Sequence, residues 1–213
     1  MKMKNKMKMT TVLTTLVCLI PLAAGAVLYN SLPDTMAIHW GFDGTANGWA
    51  SKLVAVFVLP GVLLILNLLF PVLLNMDPKN KNMDEKIKTL VRWIIPVVSV
   101  LCAGVTLAEA CGVESKMALI GPMIMGVLFV AIGNFLPKTT QSYTVGIKLP
   151  WTLNSEENWN RTHRMAGFLW VAGGIVMIIT ALLGLGFAGM IAMIVLMAVV
   201  PTVYSYMLYR KGI

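Results

Sequence analysis

Six apolar runs, each close to the length that crosses a bilayer, constrain this chain more than any other feature. A membrane-spanning helix needs roughly 20 mostly apolar residues. The runs lie near 10–29, 53–75, 90–110, 117–136, 165–185 and 188–209. They predict an all-α fold: a polytopic membrane helical bundle of about six transmembrane helices. Composition agrees, since 58% of residues are hydrophobic and only 12% are charged. A soluble domain carries about twice that charged share. With 213 residues, one transmembrane domain over 1–213 is the natural size. It divides into a helical hairpin at 10–75 with a loop at 30–52, a helix pair at 90–136, a long loop at 137–164 and a second pair at 165–209. Short connections around Gly112 and Gly186 imply antiparallel neighbours.

The net charge of +8 does not point to direct nucleic-acid binding, because the charges sit at the ends of apolar runs. Their placement predicts orientation. Lys2, Lys4, Lys6, Lys8, Lys79, Lys81, Lys86, Lys88, Arg92, Lys138, Lys148, Arg161, Arg164, Arg210 and Lys211 fall on one side of six spans, and only Lys52 and Lys116 on the other. The positive-inside rule makes the first side cytoplasmic, with both termini inside. A rival reading cuts the first run after Ala24-Gly25-Ala26, as a signal peptidase would. That run is longer than a usual signal core, so it is kept as a helix.

The spans carry little chemistry. Cys18, Cys102 and Cys111 show no C-x-x-C spacing and are read as small apolar residues. Pro21, Pro60, Pro71, Pro96, Pro122 and Pro201 interrupt the runs and are read as bundle geometry. Broken transporter helices would come with a midplane charge. Glu109 is the one acid inside a span, a turn from its outer end, and is read as reaching the interface. Gly104 with Ala108, and Ala188 with Ala192, fit close helix contacts.

Two polar loops hold the information. The first, on the outer side, carries Pro33, His39, Trp40, Phe42, Asp43, Gly44, Trp49 and Lys52. Its Gly, Asn and Asp content demands repeated turns. Composition favours a connector anchored at the headgroups by its aromatic residues; the functional alternative is an ordered recognition element. The second, on the cytoplasmic side, is longer than a connector needs to be. Asn154 followed by Glu157 resembles a capping box, so a helix is expected from about Ser155. Trp159, Thr162, His163 and Ala166 share one face of it. It is read as a short interfacial helix entering the fifth span, either as a membrane-surface anchor or as a docking surface for a cytoplasmic partner.

The same loops carry a family resemblance. Pro33 to Lys52, with Ile38-His39-Trp40 and Asn47-Gly48-Trp49-Ala50-Ser51-Lys52, resembles an N-terminal module of uncharacterised membrane proteins. Gly133-Asn134, Pro137, Gly146-Ile147-Lys148-Leu149-Pro150-Trp151-Thr152-Leu153, Trp159 and His163 resemble the SdpI family signature. Three positions depart from it: Lys148 stands for Arg, which loses a planar bidentate donor, Leu149 for Thr, and Ser142 for Asn. The resemblance implies an immunity role against a secreted antimicrobial peptide. It also implies signalling in which a cytoplasmic repressor of the ArsR type is held at the membrane. A ligand outside would act on the inner loop by favouring one of two bundle arrangements. No cofactor and no metal are implied. Beside the lipid bilayer, the expected partners are an extracellular peptide toxin and that repressor.

Other functions stay open. An enzyme, such as a membrane hydrolase, lacks its usual parts. His39 and His163 are separated by ~30 Å of hydrocarbon and cannot share one metal, and there is no H-E-x-x-H motif. A small exporter of apolar peptides remains compatible with the absence of midplane charge.

Overall fold

A computed structural model describes residues 2–41, 43–79, 83–114 and 116–213, with side chains from Met7 onward. Phe42, Lys81 and the side chains of Lys2, Lys4 and Lys6 lie outside the described residues. Helices form where apolar runs were expected: α1 (Lys2–Leu28), α2 (Leu59–Met76), α3 (Glu85–Ala110), α4 (Met117–Phe135), α6 (Glu156–Leu182) and α7 (Gly186–Arg210). Each of these six is long and apolar enough to cross a membrane. The loops add a hairpin of β1 (Thr35–Trp40) and β2 (Ala46–Ser51), and a short helix α5 (Pro150–Asn154).

Helices run unbroken through Pro21, Pro71, Pro96, Pro122 and Pro201, so no discontinuous helix of the transporter kind forms at them. Pro60 acts differently. It has no N–H to return to the preceding turn. Just before it, Val54–Val58 widens into a π-turn in which the Leu59 N–H reaches the Val54 carbonyl.

The chain forms two compact units. In the first, α1 packs on α2. Gly25 is the close-approach point: a Cβ there would lie 2.5 Å from Val56 Cγ1. Asn67 donates to Thr15 Oγ1 at 3.3 Å, and the buried Arg92 donates to the Met7 carbonyl at 3.2 Å. Leu32 and Met36, at the base of the hairpin, join Ala55 and Val56 in a buried cluster.

The second unit is built on α4, α6 and α7. Glycines seven residues apart face each other across α4 and α6. A Cβ on Gly126 would meet the Gly174 carbonyl oxygen at 2.7 Å, and one on Gly174 would meet the Gly126 oxygen at 2.5 Å. Gly133 and Gly167 repeat the arrangement at 2.9 and 2.8 Å. Bare backbone on both sides lets the helices approach this closely. The small-residue contacts expected elsewhere do not form. Gly104, Ala188 and Ala192 are exposed, and a Cβ on Gly104 would have nothing within 4 Å. On α7, the Ser205 hydroxyl donates to Asn158 Oδ1 of α6 at 2.6 Å, and Trp170 of α6 donates to the Met197 carbonyl at 3.2 Å.

Candidate functional site

The first loop is an ordered hairpin. Its register pairs Thr35 with Ser51 and Ala37 with Trp49, and shifts on either side of His39, where Ile38 of β1 and Asn47 of β2 drop out of the pairing. Gly44 takes φ +80° in the connecting turn, which the Gly41 N–H closes by donating to the Thr45 carbonyl at 2.8 Å. Gly48 leaves room for the opposing strand, since a Cβ there would lie 2.8 Å from His39 Cβ. His39 is exposed, and its Nδ1–H donates to Asn47 Oδ1 at 2.6 Å. Trp40 turns inward, and its indole N–H donates to Glu109 of α3 at 3.0 Å. Lys52 pairs with Asp34 at 3.0 Å and lies over the Tyr29 ring. Pro33 and Asp43 are exposed, and Trp49 is 62% exposed. Of the residues expected here, Trp40 and Lys52 hold the loop in place, while His39, Asp43 and Trp49 face outward.

The signature loop folds inward onto α6. Trp159, Thr162, His163 and Ala166 do share one face, and that face is wholly buried, so it meets neither lipid nor partner. Trp159 and His163 stack at 3.9 Å. The Trp159 indole donates to the Thr139 carbonyl at 2.9 Å. His163 Nε2 accepts the Ile147 N–H at 2.8 Å, and Nδ1 lies 2.8 Å from the Trp159 carbonyl. A nitrogen that accepts an amide N–H must carry a lone pair, so the ring is neutral with its proton on Nδ1. With both nitrogens engaged, it is neither a metal ligand nor a base here.

Gly146 makes this approach feasible. It has φ +117°, and a Cβ would lie 2.6 Å from Trp159 Cη2 and 2.7 Å from His163 Nε2. The buried Thr152 accepts the Leu149 N–H at 2.9 Å and sits 2.8 Å from the Ile147 carbonyl, which pins the start of α5. Helix α6 begins one residue later than the capping-box pattern suggested. Asn154 closes α5, and Ser155 caps α6 by accepting the Asn158 N–H at 3.1 Å. Trp151 is half-buried against Tyr206 and Tyr209. Leu153 offers its carbonyl to the Lys79 ammonium. Pro137 seats against Gly167, where a Cβ would lie 2.5 Å from its Cγ. Asn134, Lys148 and Pro150 are exposed.

The loop's hub is a residue that sequence reasoning passed over. Asp77, 6% exposed, follows directly on α2. Its Oδ2 accepts from Ser142 Oγ at 2.6 Å, the Tyr143 N–H at 2.8 Å, the Thr144 N–H at 3.0 Å and Thr144 Oγ1 at 3.1 Å. Its Oδ1 accepts the Lys79 N–H at 2.9 Å. Burial by itself would raise this carboxyl's pKa. The hydrogen bonds from Ser142, the Lys79 amide and Thr144 outweigh it and hold the pKa below the ordinary value. Ser142 also accepts the Thr144 and Val145 N–H groups at 3.0 Å. The one departure from the signature at 142 is therefore a structural bond to Asp77. Only the Asp77-Pro78 dipeptide at a helix end hinted at this role.

The two loops are thus ordered in different ways: a hairpin with an exposed face, and an inward-folded plug whose signature side chains are engaged with one another. Known proteins show the same two parts. A model of a domain of unknown function, DUF1648, matches residues 16–64. The SdpI/YfhL protein family model matches residues 138–205. Immunity protein SdpI of Bacillus subtilis (strain 168) is 27% identical over 212 residues, covering 96% of this chain and 98% of that protein. Six apolar helices together with this SdpI relationship make the chain a multi-pass protein of the bacterial plasma membrane. No solved structure matches it.

Proposed function

We propose that this chain is a membrane immunity protein that protects the cell making it from a secreted antimicrobial peptide. The observation that carries this is the near full-length similarity to the Bacillus subtilis immunity protein. The exposure of His39 and Trp49 on the hairpin supports it, as side chains the peptide can reach from outside with both chain termini in the cytoplasm. The inward-folded signature loop then serves as a rigid cytoplasmic platform. Its exposed rim at Lys148 and Pro150 is the place where a repressor of the ArsR type would be held.

The test is survival. The chain is expressed in a strain sensitive to a secreted killing peptide, and colony counts are compared with an empty vector. Survival is expected to rise by orders of magnitude, and a Trp49→Ala variant that accumulates normally is expected to lose most of the gain. No advantage over the vector against any such peptide would remove the proposal. Recruitment of a repressor is scored separately, by its co-fractionation with membranes.

A further inference from the structure

Resting on the immunity reading, we propose that the hairpin takes its peptide by strand addition: an extended, cationic segment pairs with the outer edge of β2 as a third strand.

Among the described residues the sheet has two strands, so each presents one edge without a partner strand. The edges differ. Strand β1 is the inner one, with Met36 and Ala37 buried, while the register shifts near His39 interrupt the ladder on both strands alike. Strand β2, Ala-Asn-Gly-Trp-Ala-Ser, pairs with β1 through every residue but Asn47. Among the described residues, no other backbone hydrogen bond engages Ala46–Ser51. Natural proteins blunt an open edge with lysine, proline or a bulge in the edge strand. β2 carries no charged residue and no proline, and its one register irregularity lies at Asn47 near the turn, so 48–51 is left as the unblunted stretch. Its edge is shaped like the strand-docking edges of peptide-binding domains, where main-chain bonds supply affinity and alternate side chains supply selectivity. Asn47, Trp49 and Ser51 are exposed on one face, as strand alternation requires. Trp49 is the large aromatic anchor such a contact needs.

Charge selects the occupant. Although the chain is +8 overall, the end of this unit that carries the hairpin is acidic. Asp34 precedes β1, Glu109 is tied to Trp40, and Glu114 follows α3, against Lys52, which is paired with Asp34, and Lys116, two residues beyond Glu114 in sequence. An acidic rim attracts a cationic segment and repels a second copy of itself. Six residues of β2 match an extended stretch of about six residues, ~20 Å long.

The test uses the full chain in phosphatidylcholine nanodiscs. Three capped hexapeptides serve as probes: alternating Lys and Val, alternating Glu and Val, and the Lys–Val peptide N-methylated at alternate amides. Amide exchange at 46–51 and binding by calorimetry are read against empty discs. The Lys–Val peptide is expected to slow exchange at 46–51 and to bind at least about tenfold tighter than the other two. Ala50→Lys, a charge placed on the strand, is expected to weaken that binding about tenfold with the helical circular dichroism unchanged. Unchanged exchange, or equal binding of the N-methylated peptide, overturns strand addition. Protection that grows with protein concentration in the absence of peptide would overturn it in favour of self-pairing. Survival separates the two proposals. If Ala50→Lys protects cells as well as the unaltered chain, strand addition fails and immunity stands. If the unaltered chain does not protect, immunity fails whatever the peptides do.

Discussion

Gly174→Val is expected to cost at least ~3 kcal/mol and to empty the membrane of folded protein. A Cβ at this position would lie 2.5 Å from the Gly126 carbonyl oxygen and 2.9 Å from the Val130 amide nitrogen. Both are helix backbone, so relief requires α4 and α6 to separate. Separation would also open the second glycine pair, Gly133 with Gly167, and the seat of Pro137 on Gly167. The signature loop is strung between these two helices, so its contacts loosen with them. The measurement is thermal unfolding of detergent-purified protein together with its abundance in membranes. Gly104→Val is the control. A Cβ at Gly104 meets nothing within 4 Å, and that variant should accumulate normally. Equal abundance of the two variants would show that the seam is not the tight contact described.

Asp77→Ala is expected to be the most damaging change within the signature loop, at about 3–5 kcal/mol. It strands the Ser142 hydroxyl and the Tyr143 and Lys79 amides, and leaves the Thr144 amide with Ser142 Oγ alone. Asp77→Asn keeps one acceptor oxygen and brings an NH₂ against the same donors, so an intermediate loss is expected. The pH dependence has a definite sign. A carboxyl whose folded pKa lies below its unfolded value stabilises the fold fully above the unfolded pKa, near 4. That contribution fades as pH falls through the folded value. Protection of the amides at 142–145, their exchange measured against the intrinsic rate at each pH, should therefore hold from neutral pH to about 5 and fall in stronger acid. In Asp77→Asn the acid-dependent part should vanish. A wild-type profile flat through pH 3 would contradict the role given to this carboxylate.

The helices were legible because each depends on a local property. An apolar run of about 20 residues has few alternatives in lipid, and the six runs appear where hydropathy put them. The face of Trp159, Thr162, His163 and Ala166 was legible for a similar reason, since spacing along a helix is local. Whether that face met lipid, a partner or the interior was not, because the Gly146 backbone that fills it lies thirteen positions before Trp159 in sequence. Asp77 stayed hidden for the same cause. Its partners in the loop are 65 to 67 residues away, and beyond the Asp77-Pro78 dipeptide nothing near Asp77 announces them. The β-hairpin was missed on a narrower ground. Its turn-rich composition was given weight, and the apolar, β-prone stretch Thr35–Trp40 was passed over. The glycine seam was overlooked because a seven-residue spacing shared by two helices is invisible when each is searched alone for the four-residue pattern.

The state of His163 has a practical consequence. Both of its ring nitrogens are occupied and the side chain is completely buried, whereas the other histidine, His39, is exposed on the hairpin. The folded chain therefore carries one imidazole open to acylation. A histidine-acylating reagent that cannot cross lipid, applied to intact cells, becomes a reporter of sidedness without any engineered tag. One adduct on His39 would put the hairpin outside. An adduct seen only after the membrane is opened would put it inside and reverse the orientation on which the immunity proposal depends.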